Sequence, residues 1–371
     1  MSRLKVVLVF GARPQFIKSA TVIRELIRYR INLTIVHSGQ HYYSEMSDVF
    51  FSELKIPPPT VNLQVGSGSH AMQTAAILKR LEAVLVKAKP AIVIVPGDTN
   101  TTLAAALCAA KLAMPVAHIE AGLRSGDMTM PEEINRILTD HCSSLLFAPT
   151  QTAASNLKKE GLRKLTHLTG DTMVDVLESA FPLAERRQTS ILDRFKLKAR
   201  AYVLVTLHRP SNVDDPIRLG QILLGLRRVA DKLPVLFPVH PRTRARFANL
   251  GVLTKSKHTN IAMVPPQGYI ETLALLKNAS CILTDSGGMQ KESFLLHVPC
   301  LTLRSTTEWP ETLVSGSNRL VPNPKDLPRE ILSVAFNEDL RRRLHQLKNP
   351  FGDGHTSRRI ARIIERTVNH R

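Results

Sequence analysis

Short runs rich in Val, Ile and Leu recur along this chain, each separated from the next by a longer amphipathic stretch. Parallel strands need a crossover of about a dozen residues or more, normally a helix, so this alternation points to an α/β fold built on parallel sheets. The first series of runs is Lys5–Phe10, Asn32–His37, Ala91–Pro96, Val116–Glu120, Leu145–Ala148 and Leu165–Leu168. The second is Tyr202–Thr206, Val235–Val239, Ile261–Val264, Cys281–Thr284, Cys300–Leu303 and Arg319–Val321. Pro14–Arg30 reads as a helix with Pro in its first turn, and Leu103–Ala113 as one that closes ahead of Met114-Pro115. The stretch Ala184–Arg200 between the two series clusters Arg and Lys over a weak apolar period, which suits a surface crossing. At 371 residues the chain exceeds what one core organises. The expected domains are two Rossmann-like parallel-sheet lobes, 1–178 and 179–354, with an interlobe cleft. A last helix, 355–371, follows the Gly-rich turn Asn349–Gly354 and is expected to pack back on the first lobe.

The content of 43% hydrophobic and 22% charged residues is that of a folded globular chain. Cys108, Cys142, Cys281 and Cys300 form no C-x-x-C pair and lie in or beside apolar runs, as buried thiols of a reducing compartment do. No apolar stretch approaches the roughly 18 residues needed to span a bilayer, and Val6–Phe10 is too short for a signal segment. The expected location is cytoplasmic, without membrane insertion. The net charge of +19 would suit nucleic acid, but the basic residues are scattered and no aromatic-rich recognition motif accompanies them; an anionic small substrate, or simply a basic organism or host surface, accounts for the charge as well.

Open α/β sheets bind ligands beyond the carboxyl ends of their strands. The first strand is followed by Gly11-Ala12-Arg13-Pro14-Gln15-Phe16-Ile17-Lys18, a Gly turn into a helix start with two cations, which reads as an anion site or as a tight turn with solvated charges. Later turns add Gly39-Gln40-His41, Gly97-Asp98, His118-Ile119-Glu120 and Pro131-Glu132-Glu133-Ile134-Asn135-Arg136. Asp98 alone reads equally as an N-cap. Asp98, Glu120 and Glu132 together, beside Arg13 and Arg136, read as acid/base machinery.

The second series carries donors. His208-Arg209 follows its first strand, His240 its second, Gln267 its third, and then comes Thr284-Asp285-Ser286-Gly287-Gly288-Met289-Gln290-Lys291-Glu292. Glycines at a helix start admit a diphosphate to the amides, and Glu292 one turn in can hold ribose hydroxyls. This is neither G-x-G-x-x-G nor G-x-x-x-x-G-K-[ST], which argues against NAD and against ATP hydrolysis. No H-E-x-x-H or paired cysteines favour a metal, and no G-x-S-x-G favours a serine nucleophile.

Taken together, Gly11–Lys18, Gly39–His41, Gly97–Thr102, His118–Arg124, Pro131–Arg136 with Leu138-Thr139-Asp140-His141, Gly170–Asp175, Thr206–Arg209, Pro238–His240, Thr284–Glu292, Arg304–Glu311 and Asn349–Gly354 resemble the non-hydrolysing UDP-N-acetylglucosamine 2-epimerases. The resemblance runs in order over almost the whole chain. It implies a glycosyltransferase-B-like fold, a UDP-amino sugar substrate, a homodimer, and neither cofactor nor metal. It implies that Asp98, Glu120 and Glu132 handle protons and charge, and that His208 assists the leaving diphosphate. Arg13, Ser286, Gly287 and Gly288 would bind phosphate and Glu292 ribose, with Lys18 and Arg136 joining the site; His240 and Gln267, from their places after strands, are expected in the substrate site too. Gln40, His41 and Arg209 match positions through which a second substrate molecule can activate bacterial members. Gln15, where many members carry Glu, and Thr307-Glu308-Trp309-Pro310 look like a branch that includes epimerases of UDP-2,3-diacetamido-2,3-dideoxyglucuronate. A hydrolysing epimerase, a glycosyltransferase of the same fold and a non-catalytic nucleotide-sugar sensor are the other readings; the three carboxylates argue against a sensor.

Overall fold

The computed structural model describes residues 5–39, 56–249 and 260–369. The chain divides into two compact units, Met1–Ser179 with Asn349–Arg371, and Ala180–Lys348. Each unit is built on one parallel sheet. In the first, β1 (Lys5–Phe10), β2 (Asn32–His37), β3 (Val61–Asn62), β4 (Ile92–Pro96), β5 (Val116–Ile119), β6 (Leu145–Ala148) and β7 (Thr166–Leu168) lie in the order β3-β2-β1-β4-β5-β6-β7. In the second, β8 (Val203–Thr206), β9 (Val235–Pro238), β10 (Ile261–Val264), β11 (Cys281–Thr284), β12 (Cys300–Thr302) and β13 (Asn318–Leu320) lie in the order β10-β9-β8-β11-β12-β13.

The central strands β1 and β4 are continuous apolar runs, as strands covered on both sheet faces are. Val6, Val7, Leu8, Val9 and Phe10 have no exposed surface, and neither do Val93, Ile94 and Val95 of β4. Strand order reverses between β1 and β4 in the first sheet and between β8 and β11 in the second. Crossovers leave these neighbours in opposite directions, which opens a crevice at their carboxyl ends.

Two expectations need correction. The stretch expected as a surface crossing is largely helix: Thr172–Arg194 is one element of 23 residues, with Ala184, Ile191 and Leu192 buried. Its Glu, Arg and Gln residues are good helix formers, and a few apolar positions suffice to seat it. Strand β3, two residues long, was too short to show a period. Among the described residues no helix is long and apolar enough to cross a membrane.

The Thr356–Asn369 helix belongs to the first unit. Ile360, Ala361, Ile364 and Val368 form its buried face. Its orphan amides find a distant cap: Asp175 accepts from the amide of Thr356 at 3.1 Å and of Ser357 at 2.6 Å. Ser357 Oγ lies 2.7 Å from Thr21 Oγ1 of the Arg13–Arg28 helix. Gly170, at φ +93°, lies under this helix start, where a Cβ would stand 2.6 Å from Thr356 Oγ1. Asp175→Ala should therefore cost about 1–2 kcal/mol of stability, the usual range for a lost cap, read as a lower urea midpoint with an unchanged slope.

Candidate active site

In the first lobe the reversal between β1 and β4 is tied together by one side chain. Gln15, buried in the first turn of the Arg13–Arg28 helix, accepts from the amides of Gly11 (2.9 Å) and Ala12 (3.1 Å). Its Nε2 donates to the Pro96 carbonyl (2.7 Å) and to Thr102 Oγ1 (2.9 Å). The turns after β1 and β4 are thus held as one piece.

Charged residues gather on this frame. Lys18 Nζ lies 2.5 Å from Glu120 Oε2, and Glu120 is buried. Burial works against the Lys18 charge, but Glu120 and then Asp98 outweigh it and hold the ammonium above its usual range. Glu120 leaves β5 at φ +70°, a left-handed conformation that costs a glutamate about 1–3 kcal/mol. Gly97, at φ +69°, brings the turn after β4 against this pair: a Cβ there would sit 3.6 Å from Glu120 Oε2 and 3.9 Å from Lys18 Nζ.

Beside them Arg136, almost fully buried, reaches Asp98 Oδ2 at 2.6 Å and Glu133 Oε2 at 2.5 Å. Both partners are set by the Pro131–Cys142 helix, which opens with Pro131 and carries Glu132 and Glu133 in its first turn, where acids suit the dipole. Asn135 of the same helix donates to the Asp98 carbonyl at 2.9 Å. The ion-paired acid here is Glu133, to which the sequence assigned no role. Burial opposes its charge, yet the amide of Ser125, Arg136 and the amide of Gly126 hold its carboxyl below the usual range. Glu132, one residue away, is half-buried, and its carboxylate has no partner among the described residues. Arg13 lies in the first turn of its helix, its side chain outside what the structure describes; Gln40 and His41 also lie outside the described residues.

In the second lobe Asp285, fully buried at the end of β11, organises the turn after β8. It accepts from the amides of His208 (3.1 Å) and Arg209 (3.0 Å) and from Asn212 Nδ2 (3.0 Å), and it stands 3.2 Å from His208 Nδ1. The His208 and His240 rings are 5.4 Å apart. Ser286 is the N-cap of the Gly287–Leu295 helix but makes no side-chain cap, which leaves the first-turn amides uncovered by it. The two glycines differ. A Cβ on Gly287 would collide with the Glu308 carboxylate, whereas one on Gly288 would meet Ser286 Oγ only at 3.8 Å. Glu308 is held by Arg304 at 2.8 Å, both buried. Glu292 is buried one turn into the helix. Gln267 is engaged elsewhere: its Oε1 accepts from Arg194 Nη2 at 2.6 Å and its Nε2 donates to the Pro265 carbonyl at 2.6 Å.

Among the described residues no group of three His, Cys, Asp or Glu side chains comes together to hold a metal. Lobe one presents carboxylates next to fixed cations, and lobe two presents amides and imidazoles beside a helix start.

A family model described as UDP-N-acetylglucosamine 2-epimerase matches residues 24–365. The UDP-N-acetylglucosamine 2-epimerase of Methanocaldococcus jannaschii is 43% identical, over 97% of this chain and 99% of its own. The UDP-2,3-diacetamido-2,3-dideoxy-D-glucuronate 2-epimerase of Pseudomonas aeruginosa is 42% identical, with the same coverage. The crystal structure of the M. jannaschii enzyme in complex with UDP-GlcNAc and UDP superposes with a TM-score of 0.91, covering 98% of this chain and 100% of that one. The calicheamicin glycosyltransferase CalG4, 13% identical at a TM-score of 0.57, shares the fold.

The depressed Glu133 carboxyl carries a pH signature. Its stabilisation is present above the unfolded value near 4.5 and is lost as pH falls through the lower folded value. Glu133→Gln should therefore lower stability by about 2 kcal/mol at pH 7, and the gap between the unfolding curves of variant and wild type should narrow progressively as pH falls below the unfolded value near 4.5.

Proposed function

The chain belongs to the UDP-N-acetylglucosamine 2-epimerase family, and from that premise we propose that it interconverts UDP-N-acetylglucosamine and UDP-N-acetylmannosamine without net hydrolysis. The observation that carries this reading is the pair of ion pairs, Lys18–Glu120 and Arg136–Asp98, meeting around Gly97 where the strand order reverses.

A C2–H beside an anomeric carbon is barely acidic, so its removal is coupled to departure of UDP. Base takes the C2 proton, the C1–O bond to UDP breaks anti to it, and a 2-acetamidoglucal remains. Syn re-addition of UDP then returns a proton to the opposite face of C2. Asp98, Glu120 and Glu132 are the acid/base and charge-handling groups; Arg136 and Lys18 hold the first two in place through ion pairs. Glu132, whose carboxylate makes no ion pair among the described residues, is assigned the proton exchange with substrate. His208, oriented by Asp285, donates to the leaving diphosphate, with Arg13, His240 and the amides from Ser286 to Gly288 as further ligands and Glu292 on the ribose. Space over Gly288 supports close approach of a phosphate there. Gln267, bound to Arg194, is the least supported member of the substrate set. The same reading includes a cytoplasmic homodimer supplying a surface polysaccharide precursor, with Gln40, His41 and Arg209 available to a second substrate molecule.

The second reading is the same chemistry on a diacetamido uronic acid, favoured by the P. aeruginosa relative.

Incubation with UDP-N-acetylglucosamine in deuterated water, followed by proton NMR, tests the reading. Deuterium at C2 together with UDP-N-acetylmannosamine is expected. Free N-acetylmannosamine would select the hydrolysing outcome, and inertness would direct the assay to the diacetamido uronic acid nucleotide. Asp98→Asn should lose at least ~10²-fold in turnover while binding UDP as wild type does; turnover near wild type would remove Asp98 from the mechanism.

A further inference from the structure

The Leu138-Thr139-Asp140-His141 segment has no part in the mechanism above, yet Asp140 is completely buried and uses both carboxylate oxygens. Oδ1 lies 2.7 Å from Nδ1 of His118. Oδ2 accepts from the Gly122 amide at 3.0 Å and stands 2.8 Å from Nη1 of Arg124. His118 and Gly122 are the residues two before and two after Glu120. At its other end the His118 ring reaches the Gly97 carbonyl, 2.7 Å from Nε2, and Gly97 precedes Asp98.

Gly122 is fixed from its other side too. Its carbonyl accepts from Asn156 Nδ2 at 3.0 Å, and a Cβ on it would collide with the Ala153 carbonyl. Glu120, at φ +70°, is thus held in an unfavourable conformation by anchors on both sides. Burial works against the Asp140 charge, but His118 and Arg124 keep its carboxyl below the usual range, so it remains an acceptor.

We infer that Asp140 is a positioning residue: it pins both flanks of Glu120 and, through His118, the turn that carries Asp98, so the two carboxylates keep their spacing while protons move. The inference rests on the epimerase reading. It differs from a purely structural role in acting on turnover and not on nucleotide binding.

Three variants test it. Asp140→Ala cuts both anchors. Asp140→Asn can keep every hydrogen bond, accepting from Gly122 and Arg124 through Oδ1 and donating to a neutral His118 through Nδ2. Leu81→Ala, a truncation in the core of the same lobe, serves as the destabilised control. At a temperature well below each Tm, Asp140→Ala should lose about 10²-fold or more in kcat with its UDP Kd within about threefold of wild type, as expected for misplaced catalytic groups. Asp140→Asn should stay within about tenfold, and Leu81→Ala within about threefold, of wild type. Asp140→Ala with the kcat of Leu81→Ala would overturn the inference. Where Asp140→Ala does not fold, His118→Gln, which keeps a donor for Gly97 and gives up Asp140, is measured instead; kcat within threefold of wild type then overturns it. A wild-type chain inert toward both UDP-amino sugars would sink the epimerase reading itself, a result distinct from either.

Discussion

A parallel sheet whose strand order reverses leaves two neighbouring strands with crossovers running opposite ways, and nothing of the main chain covers their carboxyl ends. Every charged residue of the first lobe's site depends on that geometry. β1 and β4 deliver Lys18 and Asp98 to one spot, and Gln15 locks the two turns with four hydrogen bonds. In this chain the clamp is neutral and two-faced: its oxygen takes two amides while its nitrogen serves a carbonyl and a hydroxyl. A carboxylate in its place could accept from the amides and from Thr102 but would face the Pro96 carbonyl with no proton to offer.

Within that frame, buried charge is kept affordable by pairing. Lys18 with Glu120, Arg136 with Asp98 and Glu133, and Arg124 with Asp140 place each ion next to its opposite. Pairs like these seldom add much stability over an apolar core, but removing one member leaves the other stranded, so they fix geometry strongly. The second lobe solves a different problem with the same means: Asp285 gathers amides and an amide side chain so that the His208 ring stands beside a helix start.

Much of this could be read from the residues. β1, β2, β6, β10 and β11 have the bounds that their apolar runs predicted, because a strand bounded by turn residues leaves a sharp trace. The site residues that follow strands were legible for the same reason. Glu132 and Glu133 were not distinguishable: they are neighbours in one helical turn, and only the packing of that turn decides which faces Arg136. Asp140 carried no local signal either, since His118 is 22 residues away on a strand. Gln15 was legible as a departure from the family pattern, but its work as a clamp emerges only when Pro96 is brought beside it. The Ala184–Arg194 stretch misled because a helix with few buried positions has a faint period.

The first lobe is not contiguous in sequence. Its last helix, capped by Asp175 and seated on Thr21, comes from the far end of the chain. A ribosome therefore releases the whole second lobe before the first can be completed. During synthesis the apolar face that receives Ile360 and Ile364 waits uncovered while residues 180–348 emerge and fold. Assembly order thus runs against chain order, with the second lobe the first unit able to reach its finished state and the site-bearing first lobe the last.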